Sequence, residues 1–274
     1  MALFKQEKVK KTEIPPLLNP PLVEAIFEIR WNLKRDAETQ RLRDVSYPIM
    51  CGQLYERLKK DFPLIEDLPS TQAHPEATPF VVRHRMRKQK DSWPVLQVGP
   101  GIVTINEVKG YSWKSFQSLI LRVMGAIEEL YPKNDFPLNF IKAEVRYING
   151  IPFNGEQEHP LAFLADKLHV KLELDEELFA GGVVGEKPLD VGMNVVYPLS
   201  RPVGNLLLAV NLGQVDNKPA FLVQSLIQSF GESVAQDKAA LETWLTQAHD
   251  VAEHSFHTFC KGNLMSRFCE AGKR

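Results

Sequence analysis

A chain of 274 residues with 44% apolar and 24% charged residues has a globular composition and enough length to bury a sizeable core. Its formal net charge of −1 provides no global attraction to nucleic acid or to an anionic membrane, so binding of either kind needs a local patch. Three cysteines, Cys51, Cys260 and Cys269, are too few for a disulfide framework, and no two of them have metal-ligand spacing.

The opening MALFKQEKVKKTEIPP lacks the apolar core of a signal peptide, and no apolar run approaches the length of a bilayer span. With an odd cysteine count, these features give a cytoplasmic expectation and no membrane partner. Residues 1–20 read as a basic, flexible arm that locks down at Pro15, Pro16, Pro20 and Pro21.

LVEAIFEIRW (22–31) then alternates, with Val23, Ala25, Phe27, Ile29 and Trp31 on one side, and predicts a strand. The spacing of Leu54, Tyr55, Leu58 and Phe62 predicts a helix over 47–62, ended by Pro63. After a polar loop, PFVVRHRMR (79–87), WPVLQVG (93–99) and GIVTINEV (101–108) read as an antiparallel meander. Ser112 caps a helix in which Trp113, Phe116, Ile120, Val123, Ile127 and Leu130 recur three and four apart, stopped by Pro132. A strand follows over 139–151.

Beyond it come a short helix over 160–169 and a loop carrying Gly181, Gly182 and Gly185. Strands near 190–198, 204–213 and 219–228 then lead into a long amphipathic helix over 237–262. Strands grouped ahead of helices imply an α+β fold with antiparallel sheet packed by long amphipathic helices. The order suggests two β-β-β-α halves, 21–152 and 153–274, or one continuous domain.

The last helix concentrates the reactive side chains. His249, Glu253 and His257 stand four apart beside the apolar stripe, with Asp250 and His254 as a second pair. Two residues one turn apart can reach a single ion, but His249 and His257 are about 12 Å apart along the axis and cannot share one. The row therefore supports either i,i+4 stabilisation of the helix or acid–base work by His249 and Glu253, the route to a metal-assisted hydrolase.

A second candidate is Arg83, Arg85 and Arg87, which alternate onto one face of a strand. With Tyr111 and Trp113 they form a phosphate-and-base site expected of a nucleic-acid or nucleotide binder. GGVVGEKP (181–188) lacks the spacing of a phosphate-binding loop, and no GxSxG elbow is present. Neither a cofactor nor a metal site is indicated.

Four segments, PPLVEAIFEIRW (20–31), QVGPGIVTINEVKGYSWKSF (97–116), RYINGI (146–151) and WLTQAHDVAEHSF (244–256), together resemble a sporadically distributed, uncharacterised family of bacterial proteins of about this length. On that pattern the matched positions include Glu24, Asn106, Tyr111, Trp113, Arg146, Tyr147, Asn149 and His249. Gly150 replaces an arginine, and His254 and His257 fall outside it. The resemblance implies an accessory or defence-type role. Without catalytic signatures, and with aromatics such as Trp93 and Tyr111 expected at the surface, the leading expectation is a non-enzymatic interaction subunit. Its partner is another protein or a second copy of the chain. Arg146, Asn149 and Glu24 are expected to gather around His249 in one polar cluster.

Overall fold

The computed structural model describes residues 17–108, 110–132 and 136–270. The expected arm lies outside them except for its end, where Leu17 packs against apolar residues and Asn19 N–H donates to Phe268 C=O at 2.9 Å.

The fold is α+β, as the pattern of elements implies. In chain order, β1 (Leu22–Trp31) is followed by a small ladder of β2 (Lys34–Arg35) and β3 (Leu42–Arg43) and by α1 (Tyr47–Leu58). A meander of β4 (Leu64–Asp67), β5 (His84–Arg87), β6 (Val95–Gly99) and β7 (Ile102–Glu107) leads into α2 (Trp113–Leu130) and β8 (Phe140–Pro152). Then come α3 (Pro160–Lys167), β9 (Gly192–Ser200), β10 (Val203–Val215), β11 (Lys218–Phe230), α4 (Lys238–Cys260) and α5 (Asn263–Cys269).

Nine strands form one antiparallel sheet in the order β4-β5-β6-β7-β1-β8-β11-β10-β9. The sheet passes without a break from residues before 152 to residues after it, because β8 pairs with β11 from Lys142↔Phe230 to Pro152↔Ala220. Alternation on β1 fixes which face is covered. Ala25, Phe27, Ile29 and Trp31 are all fully buried under the helices, while Glu24, Glu28 and Arg30 point the other way. The helices α1, α2 and the front of α4 close one apolar cluster. The end of α4, with α3 and α5, closes a second that contains Phe153, Phe163, Phe221 and Phe256. No helix among the described residues is long and apolar enough to cross a membrane.

The segment after Pro63 that reads as a polar loop contains β4, and two of the boundaries that differ from the sequence pattern have a clear local reason. The strand expected over 79–87 begins only at His84, because Phe80 takes a left-handed φ of 60° and the chain there crosses directly over Gly99. A Cβ at Gly99 would lie 2.0 Å from the Val81 carbonyl oxygen, so the crossing requires glycine. The first helix stops at Leu58 and leaves Phe62 buried beyond it.

Asp44 ties these parts together. Its carboxylate accepts from Ser46 and Tyr47 N–H at the start of α1, from Trp31 Nε1 on β1 and from Gly101 N–H in the β6–β7 turn. Burial pushes its pKa up, against the hydrogen bonds that favour the ion. Asp44→Ala leaves these donors without their acceptor and should destabilise by about 3 kcal/mol. Urea denaturation checks this, and a change under about 0.5 kcal/mol would show that water replaces the carboxylate.

Candidate functional site

The site is built where α2 begins, on β8 and on the middle of α4. Gly110, at φ 77°, turns the chain out of the meander, and Ser112 Oγ accepts from Ser115 N–H at 3.3 Å to start α2. This sets Tyr111 and Trp113 against the helix-covered face of the sheet. On β8, alternation puts Tyr147 and Asn149 on that same face as buried Val145. A register shift between Leu22 and Glu24 on β1 places Leu22 opposite Asn149. From above, Ala248 and Ala252 bury the face of α4, and their neighbours His249 and Glu253 project beside it.

Between these elements lies a cavity of about 290 Å³, at the lower end of the range for ligand pockets. Its polar lining comes from Tyr111, Tyr147, Asn149, His249, Glu253 and His257, and apolar walls come from Leu17, Pro20, Leu22 and Phe256. Among the sequence-derived candidates, Tyr111, Trp113, Asn149, His249 and Glu253 are thus brought together.

His249 is the hub of this site. Its ring stacks on Trp113 with centroids 4.0 Å apart and 10° between planes. Its Nδ1 lies 3.1 Å from the Tyr147 hydroxyl, to which the Tyr111 hydroxyl donates at 3.2 Å. With Tyr111 donating to Tyr147, the single proton of Tyr147 is left for Nδ1, and the neutral ring carries its own proton on Nε2. Burial holds His249 down at about 4, only partly opposed by Asp250. Burial likewise raises the phenol pKa values of Tyr111 and Tyr147, and Glu253 adds to both shifts. All three groups are therefore neutral near pH 7.

Tyr147, the residue that joins this chain of hydrogen bonds, was not among the expected site residues. The signal was present in the alternation of RYINGI, which puts Tyr147 with Asn149 and separates both from Arg146.

The other expectations need correction. Arg146 and Glu24 do not approach His249, because they face the opposite side of the sheet. There Arg146 pairs with Glu144 at 2.7 Å and Glu24 accepts from Asn106 Nδ2 at 2.8 Å. The arginine row is not free for phosphate either. Arg83, 6% exposed, donates to the carbonyls of Thr71 and Ala73 and to Thr78 Oγ1. Arg87, 7% exposed, pairs with Glu66 at 3.0 Å and lies 3.7 Å from Asp91. Only Arg85 keeps partial exposure, on a strand paired on both sides. Trp93 and Tyr111 are half-buried rather than exposed. No three His, Cys, Asp or Glu side chains among the described residues are grouped to hold a metal, so the His249, Glu253 and His257 row lacks a third ligand.

The depressed His249 pKa predicts a pH dependence of stability. Above about 6.5 the ring is neutral in both states and contributes no slope. As pH falls from 6.5 toward 4 the unfolded chain takes up a proton that the folded chain refuses, so stability declines by up to about 1.4 kcal/mol per unit and levels off below 4. His257, also lowered chiefly by burial, adds in the same direction. Urea midpoints between pH 7.5 and 4 should show this decline, and His249→Phe should flatten it. An unchanged slope in the variant would place the titrating group elsewhere. Separately, Tyr147→Phe should cost about 1–2 kcal/mol by leaving Tyr111 and His249 unpaired.

No protein-family model and no curated protein matches this chain.

Proposed function

We propose that the chain is a non-enzymatic binding subunit whose cavity beneath α4 holds a group presented by a partner protein, in a bacterial assembly of the accessory or defence kind. The observation that carries this reading is the cavity itself, which has apolar walls and, in Tyr111, Tyr147 and His249, linked hydrogen-bonding groups that are neutral near pH 7, with the Glu253 carboxylate at its border. Such a lining orients a ligand and does little to polarise one. With a pKa of about 4 and Nδ1 already engaged, His249 is a weak base. The buried thiols of Cys51 and Cys260 are pushed up to about 11 and about 12 and do not line the cavity. The burial of Arg83 and Arg87 removes the main support for nucleic-acid or nucleotide binding.

Affinity capture with the wild type, Trp113→Ala and His249→Phe tests the proposal. A partner retained by the wild type should be lost from both variants by at least about tenfold in affinity, while their thermal midpoints show them folded. Equal retention by folded variants would remove the cavity from the interaction.

Self-association is a second reading, favoured by β9. This edge strand, GMNVVYPLS, carries no charged side chain, and Val196 and Tyr197 are 55% and 51% exposed. Free edges of monomers are commonly protected by charge or proline; β9 has no charge, and its Pro198 lies near one end, which leaves residues 192–197 suited to pairing with a second β9. Light scattering after size exclusion should show a dimer that Val196→Lys dissociates. A wild-type monomer at high concentration would rule this reading out.

A further inference from the structure

The lining of the cavity is asymmetric in charge. Among the described residues Glu253 contributes the only carboxylate of the lining, and it makes no hydrogen bond or ion pair with any of them. Among the described residues no lysine or arginine lines the cavity or contributes to the pKa shifts of Tyr111, Tyr147, His249 or His257; apart from the two tyrosines, the titratable side chains that do are Glu253, Asp250 and His254. Both histidines at the cavity are disfavoured as cations, chiefly by burial. Among the described residues, the lining therefore offers Glu253 no lysine or arginine as a counter-charge.

Three electron-rich rings, Trp113, Tyr111 and Tyr147, border the same space, and Tyr111 and Tyr147 meet edge to face with centroids 5.9 Å apart. Asn149 lines the cavity as well. It is 7% exposed, and its side-chain amide has no partner among the described residues. Its amide atoms are not fully enclosed and open onto the cavity, so whatever fills the cavity completes their hydrogen bonds. A carboxylate, aromatic faces and an amide oxygen together suit a ligand that is positive, carries N–H donors and has an apolar stem.

We infer that the cavity takes the head group of an alkylammonium ion, with Glu253 as counter-ion, Asn149 as hydrogen-bond acceptor and Trp113, Tyr111 and Tyr147 as walls. The inference rests on the proposed binding role of this cavity and gives that role a ligand chemistry. A lysine side chain of a partner and a free small amine share this chemistry, and the test separates them.

The probes are n-butylammonium against 1-butanol, and acetyl-Gly-Lys-Gly-amide against the same peptide with norleucine. The readout is the 15N-resolved indole resonance of Trp113, assigned by its loss in Trp113→Phe. At low salt each ammonium probe should bind at least about fivefold more tightly than its neutral counterpart, and Glu253→Gln should abolish that preference while leaving the alcohol's affinity unchanged. Preference for the lysine peptide over the free amine assigns the cation to a protein partner, and the reverse assigns it to a small molecule; both support the inference. Neutral probes that bind as well as charged ones, with no effect of Glu253→Gln, overturn the cation while leaving the cavity a binding site. An indole resonance moved by none of the probes up to their solubility overturns the cation and the binding role together.

Discussion

The strict two-residue alternation of the central strands is the constraint from which the rest of the molecule follows. On β1 it commits Ala25, Phe27, Ile29 and Trp31 to one side, and burying that side requires helices there and nowhere else on the strand. On β8, paired to β1, the same alternation divides Glu144 and Arg146 from Tyr147 and Asn149. A slip of one residue between these strands would expose the core residues and send charged groups beneath α4. The polar face instead holds a network in which Lys142 lies 3.0 Å from Glu28 and 2.6 Å from Glu144, which also pairs with Arg146.

On the helix-covered face the physics is different. Groups buried among aromatic rings remain hydrogen-bonded and uncharged, because an isolated ion there would lose solvation without recovering it. The Tyr111, Tyr147 and His249 chain meets that requirement by hydrogen-bonding each tyrosine hydroxyl to the next member. Glu253 at the border and the amide of Asn149 are exceptions without a hydrogen-bond partner among the described residues. Departures of this kind from local satisfaction are expected where a protein binds something else.

The features that were legible in the sequence are those set by short-range periodicity. The alternation of LVEAIFEIRW from Ala25 onward, the Ser112 cap with its three-and-four spacing, and the stripe from Leu241 to Phe256 correspond to observed elements with the expected faces buried, whereas the irregularity between Leu22 and Glu24 puts Leu22 rather than Val23 on the covered side. Pairings between distant segments were not legible. The partners that immobilise Arg83, the carbonyls of Thr71 and Ala73, lie ten to twelve residues away across an irregular loop. Asp44 joins α1 to β1 and to the β6–β7 turn through donors that lie 13 and 57 residues away at Trp31 and Gly101, links that no local pattern encodes. Gathering Tyr111, Trp113, Asn149 and His249 depends on strand order, which periodicity does not encode. Arg146 and Glu24 share matched segments with cavity residues, but alternation places both on the opposite face of the sheet from His249.

Long-range 1H–15N spectroscopy of the His249 ring tests the central claim most directly, since the account requires a desolvated, neutral imidazole bonded through Nδ1 to Tyr147. The predicted result is a ring that stays in the Nε2–H tautomer as pH is lowered from 7 through 5 and titrates only near 4. A His249 that titrates near 6.5, or that averages between its two tautomers at neutral pH, would contradict it.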